Sequence, residues 1–534
     1  MYPTRVAATA GRRFDIRHLL IVAAMLLAFA ALAYDAERFL ATAVKAIGYP
    51  YQLDYGEGIV WQQAQQIRAG NAYGEITGFP AIVFHYPPLY HVIVLSIVEL
   101  TGLDFLMVGR SVSVGATLLT GLFAGLISSH AAGSDVDRRA ARLSGLIAGL
   151  ITVSMLPVVS WATLMRVDMV AMALSLAGVW LTMRAFRQPR LIILAAICFV
   201  AAVYTKQTAI APPAAAFLTL LLVKPRTAVI GVATSAALGV AVLGLLIWAT
   251  DGGFVRHIFL YNINRVDFAQ LKMILLIMAV HAPYFAVVAI GLMQLRKRRP
   301  SRFHISHLRE QLAITDGPAC LLLLIIYLAF ASVMVLAIAK VGSNINYLIE
   351  FVCVIAIFAG LACKDAADAL IKKTGFNGAE SFMLCVAVPA VVGAHALLMP
   401  ARHDPPLERP PVGEMRQLVE TVRQADRPVI SDDMVLLKRA GKPVVWEPAI
   451  FAELASKGMW DSRPFIEMIR CQRFAFFVTQ GVRGDALFNE RYDAAVADAM
   501  DRAYPIRRDM AGLVLHLPRG QACLVIKSTP RERT

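Results

Sequence analysis

Along the first 400 positions apolar residues come in long runs, broken by short polar stretches. Runs begin near His18, Pro87, Gly109, Leu143, Val167, Leu191, Ala209, Val229, Met273, Ala319, Ile345 and Phe382. A membrane-crossing helix needs about 20 mostly apolar residues, so these twelve runs are candidate spans. After a Pro-rich break, Pro400 to Pro411, the pattern shortens and alternates. Helices are predicted over Glu414–Gln424, Ala449–Lys457, Pro464–Arg470 and Asn489–Ala503. Strands are predicted over Pro428–Ser431, Lys442–Trp446, Arg473–Thr479, Leu513–Leu517 and Ala522–Ile526. The fold class is a polytopic α-helical membrane protein with a small C-terminal α/β domain, divided as residues 1–400 and 401–534.

Charge places the loops. Arg5, Arg12, Arg13 and Arg17 precede the first run, so the N-terminus reads as cytoplasmic. Ala31-Leu32-Ala33 resembles a signal-peptidase site, but the run is read as a retained anchor. Arg184-Arg187-Arg190, Lys224-Arg226, Arg296 to Arg299 and Lys364-Lys372-Lys373 vote for cytoplasmic loops. Residues 204–208, 250–271, 340–346 and everything after 400 then face the opposite side. Twelve spans from an inside start leave the C-terminus inside, against that vote. The number of spans is therefore expected to be odd, 11 to 13, with an extra crossing hidden between residues 87 and 165, where Pro157 splits a long apolar stretch. Two outer segments, 35–86 and 250–271, exceed ordinary turns. In the first, Ile59 to Ala69 reads as a short helix lying at the interface.

Composition narrows the class. Of 534 residues 58% are hydrophobic and 17% charged, against roughly 25% charged in a soluble domain. A purely soluble enzyme, a disordered chain and a fibrous protein are excluded. Charged residues number 39 in the last 134 positions and 50 in the first 400. The net charge of +15 sits mostly in short loops, as topology demands, so no nucleic-acid partner is expected. Five of the seven cysteines fall in or beside apolar runs; Cys471 and Cys523 flank predicted strands, where a disulfide and two free thiols are equally open.

Candidate chemistry clusters at outer span ends. Asp54-Tyr55-Gly56-Glu57-Gly58 sets two acids in a glycine-rich turn, and His85-Tyr86-Pro87-Pro88-Leu89-Tyr90 breaks the backbone as the second run begins. Tyr204-Thr205-Lys206-Gln207-Thr208 holds a lysine at an outer junction, where an anionic partner such as a phosphate suits it. Arg166 and Asp168 read first as a self-satisfied ion pair and, as the alternative, as a brace behind the residues that touch substrate. Lys340, Asn344, Asn346, Tyr347 and Glu350 form a third cluster, and Arg256, His257, Asn262 and Arg265 add positive charge from the 250–271 loop. Ser431-Asp432-Asp433 reads as the cap of a helix starting at Met434, with acceptor binding as the alternative. A carboxylate acting as base on an acceptor hydroxyl, with cations stabilising a leaving phosphate, fits this set. There is no P-loop and no dinucleotide fingerprint.

With these motifs in order, the sequence resembles the GT-C glycosyltransferases, in particular the bacterial aminoarabinose lipid A transferases and rhizobial galacturonosyltransferases and, more distantly, the protein O-mannosyltransferases. The resemblance spans residues 15–400 and rests on Asp54 and Glu57, Tyr86 to Tyr90, Arg166 to Met169, Thr205 to Thr208 and Asn344 to Tyr347. It implies inverting transfer of a sugar from a polyprenyl-phosphate donor to a lipid, glycan or protein acceptor. The setting would be the periplasmic face of a bacterial inner membrane. It implies catalytic roles for Asp54 and Glu57 and substrate contacts by Lys206, His85, Tyr86, Tyr90, Arg166, Asn344, Tyr347, Arg256 and Arg265. No cofactor and no required metal are expected. Many relatives have adjacent acids where this chain has Asp-Tyr-Gly-Glu, and a basic residue where it has Tyr86. The competing readings are a lipid-linked sugar transporter or flippase, against which stand the end-located polar clusters and the lack of repeats, and a non-catalytic assembly protein, which would tolerate Asp54→Asn.

Overall fold

The computed structural model describes residues 16–520 apart from 134–135, 263–264, 267, 298–308, 311–313, 341, 373–377 and 400–409. Most of the Pro-rich break, the Arg5–Arg13 cluster and the strand expected at Ala522–Ile526 lie outside the described residues. The chain folds as a polytopic helical membrane protein with a small C-terminal sheet domain. Among the described residues, seven helical runs are long and apolar enough to cross a membrane: α1 (Ile16–Gly48), α4 (Phe105–Ala131), α7 (Asp168–Ala185), α10 (Pro225–Ala249), and the runs Gly317–Ala339, Ile345–Lys372 and Ala379–Leu398. A bent pair, α5 (Arg138–Ser154) and α6 (Leu156–Ala162), makes an eighth. α3 (Leu89–Thr101), α8 (Leu191–Val203), α9 (Ala211–Val223) and Ala279–Met293 are shorter apolar helices. The remaining helix before the first bundle contacts is α2 (Tyr55–Arg68).

Cross-chain contacts sort the helix ends onto two faces. On one, Arg110 near the start of α4 reaches the carbonyls of Ala46, Tyr49 and Tyr51. On the same face Asp104 pairs with Arg439 of the C-terminal domain, and Lys206 pairs with Asp168. On the other, Lys224 bonds the Phe186 carbonyl, Asp316 meets His130, and the Asp137 amide donates to Asp368. Both ends of α3 lie on the domain-bearing face: the Leu89 amide donates to the Tyr204 carbonyl, and Asp104 follows its C-terminal Gly102. The run near Pro87 therefore folds back instead of crossing. Removing it from the twelve candidate runs leaves eleven, an odd number; among the described residues seven of these are long and apolar enough to cross, eight with the bent pair, and the other three are the shorter α8, α9 and Ala279–Met293. The crossing sought between 87 and 165 is thus not an added one. Pro157 marks the 64° break between α5 and α6, and the short α6 stays on the domain-bearing face, ahead of Arg166. α1 continues unbroken to Gly48, so residues 35–48 at the start of the first outer segment are helical.

α4 and α5 pack with almost no separation. Gly121 and Gly125 on α4 face Gly145 and Gly149 on α5, and a Cβ at Gly145 would stand 2.5 Å from the Gly125 carbonyl. Small residues spaced by four let backbones approach this closely in a bilayer, where dispersion contacts replace the hydrophobic effect as the driving force.

The C-terminal sheet runs β1 (Ile430–Ser431), β2 (Phe477–Thr479), β4 (Leu513–Leu517), β3 (Ile506–Met510) across its width. β1 and β2 are parallel; β4 is antiparallel to both neighbours. Ala511 and Gly512 join β3 to β4 at positive φ, the geometry of a two-residue hairpin turn. β3, which the apolar pattern does not predict, is an exposed edge strand carrying Arg507, Arg508 and Asp509. Three expectations change. Lys442–Trp446 is no strand, but Trp446 forms a single parallel bridge to Ala81 of the first outer segment. The strand expected from Arg473 starts only at Phe477. The helix expected over Asn489–Ala503 is two, Ala486–Arg491 and Ala494–Ala503, because Asp493 caps the second through the amides of Ala495 and Val496. Asp433 caps Met434–Arg439 as expected. Ile76, Ala81 and Val83 of the first outer segment share a core with Trp446, Phe451 and Phe465, so that segment completes the domain's interior. Cys471 donates to Glu467, while Cys523 lies outside the described residues.

Candidate active site

Asp54 is the N-cap of α2, and its Oδ1 accepts the Gly56 amide. The same oxygen takes a 2.8 Å bond from Arg166 Nη1. Both glycines of the turn are needed for room: a Cβ at Gly56 would fall on the Arg166 guanidinium, and one at Gly58 would stand 2.7 Å from the Met434 Cβ. Arg166 also donates to the Tyr86 hydroxyl and lies between the Tyr86 and Trp161 rings, while its buried Nε has no partner among the described residues. Arg166 and Asp168 therefore do not satisfy each other. Asp168, at the start of α7, instead accepts Lys206 Nζ at 2.6 Å and Asn346 Nδ2 at 2.8 Å, both on Oδ1. Its Oδ2 is buried and unpartnered.

Lys206 sits in the tight turn between α8 and α9 with its ammonium 4.8 Å from the centre of the Tyr347 ring. Asp168, Lys206, Asn346, Tyr347 and Glu350 line one cavity of about 50 Å³, with Met172 and Met334 on its apolar side. Three sequence clusters, with Asp168 and Asn346 178 positions apart, thus meet at one membrane edge: Arg166 and Asp168, Lys206, and Asn346 to Glu350. Tyr86 lies within electrostatic reach of Arg166, Asp168, Lys206 and Tyr347, and so joins this cavity to Asp54.

Other expected residues do not reach it. Glu57 is fully buried and saturated: Arg110 grips both carboxylate oxygens at 2.7 Å, and the Leu53 and Met165 amides take the remaining lone pairs. Two acids at a spacing of three in a helical first turn lie about 300° apart around the axis only if both are helical; here Asp54 caps and Glu57 turns inward. Tyr90 is buried with its hydroxyl on the Gly109 carbonyl and Ser113. Asn344 is exposed and bonds the Ile345 amide next to it. Arg256 pairs with Glu75 at the surface, and Arg265 with Glu453 of the C-terminal domain. Arg110, which the sequence reading passed over, is a fully buried arginine in an apolar run, and that placement was its signal.

His85 stands where four segments converge. Its carbonyl accepts Gln207 Nε2 and Asn262 Nδ2, each at 2.9 Å, and its Nε2 meets Glu447 Oε1 at 2.6 Å. His257 fastens the same loop from behind: Nδ1 accepts the Phe84 amide and Nε2 donates to the Gly74 carbonyl. Burial pushes this imidazole down to about 4, so it stays neutral. On the opposite face His130, Asp316 and Cys320 form the one group of three ligand atoms within 4.8 Å of one another among the described residues. Asp316 there also lies 3.8 Å from Arg187, a cation where a metal would want open carboxylate.

No protein-family model matches the sequence, and no curated protein matches it. Solved structures do match. ArnT from Cupriavidus metallidurans bound to undecaprenyl phosphate aligns with a TM-score of 0.55 at 14% identity, covering 93% of this chain and 97% of that one. The same protein in the apo state gives 0.54 at 14% identity, over 89% and 96%. At that identity the likeness is one of fold, and it spans the membrane body and the C-terminal domain alike. By fold, this chain is similar to ArnT from Cupriavidus metallidurans.

Proposed function

We propose that this protein is an inverting glycosyltransferase that moves a sugar from a polyprenyl-phosphate donor to a cell-envelope acceptor. The observation that carries this is a pair of cation–carboxylate contacts at one membrane edge, Arg166 on Asp54 and Lys206 on Asp168. The unbonded Arg166 Nε beside them is a donor awaiting an anion. A phosphate entering at this edge would draw both cations toward itself and loosen their hold on the acids. Asp54, a quarter exposed and carrying one oxygen outside its cap bond, would then take the proton of the acceptor hydroxyl. The acceptor oxygen forms its bond to the anomeric carbon as the carbon–oxygen bond to phosphate breaks on the other side. Lys206 and Arg166 stabilise the charge left on the polyprenyl phosphate. Asp168, itself held by Asn346, keeps Lys206 in place, and Glu57 with Arg110 fixes the turn that carries Asp54. The binding of undecaprenyl phosphate by the fold's ArnT counterpart supports a lipid-linked donor. The domain-bearing face is assigned to the periplasm of a bacterial inner membrane, in keeping with the basic loops at the other face. Transfer needs no cofactor and no metal in this reading, since the charge on phosphate is met by side chains.

The test is transfer of radiolabel from a panel of polyprenyl-phosphate sugars to a membrane extract, by wild type and Asp54→Asn in lipid. Label moved by wild type and lost at least 100-fold in the variant is expected, the scale of general-base catalysis. Equal transfer by both removes Asp54 from the base role, and no transfer from a complete panel removes the reading. Transfer that chelator abolishes would overturn the metal-free part.

A further inference from the structure

Several of the contacts that fasten the first outer segment to the C-terminal domain come from one short stretch, Val445 to Ala449. The Ala81 amide donates to the Val445 carbonyl, and the Ala449 amide reaches the Tyr55 hydroxyl beside Asp54. Between them Glu447 contacts His85. Glu447 holds the N-cap position of the helix Pro448–Ser456, yet its side chain makes no cap bond. It turns instead toward His85, with its carboxylate 2% exposed and Oε2 left without a partner. Burying an acid with one oxygen unsatisfied is costly, and a simple tie between domains does not require it, since Arg439 on Asp104 and Lys438 on Gln65 already hold the domain down.

A carboxylate can only accept, so the 2.6 Å contact places the proton on His85 Nε2. In the neutral ring Nδ1 then carries the free lone pair, and the ring is 18% exposed. The backbone of His85 is clamped from Gln207 and Asn262, so ring and main chain are both fixed. The ring packs edge-to-face on Tyr86, whose hydroxyl bonds Arg166, the partner of Asp54. His85 thus stands at the domain side of the same site whose membrane side holds Lys206.

We propose that Glu447 is a positioning residue that sets His85 Nδ1 as a hydrogen-bond acceptor for the hydroxyl of the incoming acceptor, so that the C-terminal domain forms part of the acceptor subsite. The ligand class is an alcohol approaching from the aqueous side, distinct from the lipid-borne donor. This rests on the transferase reading and adds to it a division of the site: phosphate at Lys206, acceptor at His85. His85 makes the contact; Glu447 acts through it, as a carboxylate behind a histidine fixes tautomer and orientation elsewhere.

The experiment compares wild type, Glu447→Gln, His85→Ala and the double variant, each full length in lipid. Glu447→Gln and His85→Ala should each raise the acceptor KM roughly five- to tenfold, the worth of one hydrogen bond, with donor KM within twofold. The double variant should be no worse than His85→Ala alone. An unchanged acceptor KM, an equal rise in donor KM, or additive losses would overturn the proposal. Limited proteolysis of each variant should match wild type, and a newly cut domain would assign Glu447 to docking alone. A second readout needs no turnover. In protein labelled with 15N-histidine, the signal missing from His85→Ala should show Nε2 protonated and Nδ1 bare. Glu447→Gln, whose amide donates as well as accepts, should release the ring from that form. A wild-type ring protonated on Nδ1 alone would sink the proposal even if transfer is robust. Absence of transfer in wild type would sink the transferase reading, while the tautomer would still decide whether Glu447 positions His85.

Discussion

Glu57 and Asp54 stand three residues apart and meet opposite fates. Glu57 is sealed under Arg110, two bonds of 2.7 Å joining them with no exposure on either side chain. Breaking such a pair strands a charge in a dry site, so Arg110→Met should destabilise the protein by about 3–5 kcal/mol, read as thermal unfolding in detergent. Glu57→Gln placed on top of it should restore part of the loss, because the stranded charge is gone. Asp54→Asn should leave stability nearly untouched, since asparagine caps a helix as well as aspartate does. Its effect should fall on transfer instead. Residue type in sequence announces that both acids are expensive near a membrane, but not which one is paired. Glu57's partner lies 53 positions away, and no local spacing encodes that distance. The same holds for Arg166 and Asp168, which look like each other's partners and are held by Asp54 and Lys206.

For the helical elements, hydropathy was a good guide to where helices lie and a poor one to whether they cross. α3 has the apolar content of a span, and only the anchoring of Leu89 and Asp104 to the same face shows that it turns back. The parity conflict was visible in the charges, and its cause was one run too many. In a cysteine-free background, Thr101→Cys and Asn71→Cys should both react with a membrane-impermeant thiol reagent from the side that bears the C-terminal domain. Labelling of Thr101→Cys only from the opposite side would restore α3 as a crossing. The facing glycines of α4 and α5 were also written in the sequence, as Gly121 with Gly125 and Gly145 with Gly149. Their pairing became legible only when the two helices were laid together. Gly145→Leu should separate them and cost most of the folded yield, whereas leucine at Gly115, with open space around it, should be tolerated. In the C-terminal domain the buried strands were found from their apolar runs. β3 was missed because an edge strand facing water needs no apolar alternation.

At the scale of the whole molecule, membrane body and C-terminal domain are joined through α2 and the first outer segment. Asp433 sits in that junction, capping its helix a short way from Glu57. Burial pushes its carboxyl from an ordinary 3.8 up to about 7. The folded protein keeps this proton where the unfolded chain has released it, so the contribution of Asp433 to stability falls as pH rises from about 4 to about 7 and is level above. Asp433→Asn keeps a cap without titrating. Its melting temperature relative to wild type should climb through that window and flatten beyond it; a constant offset from pH 4 to 8 would mean that the carboxyl does not titrate there.

The bridge from Ala81 to Trp446 has a consequence for how the protein is made. The ribosome delivers Ala81 early and Trp446 only after every crossing has been threaded into the bilayer. Until then the segment around His85 and Ile76 has no partner for its apolar residues and no register to settle into. Assembly of the proposed centre must therefore be the last event of biogenesis, gated by arrival of the C-terminal domain at the face where α2 lies. A chain halted after the final crossing should insert normally and yet be cut rapidly by protease between α2 and α3. Supplying the missing domain in the same compartment should close that window.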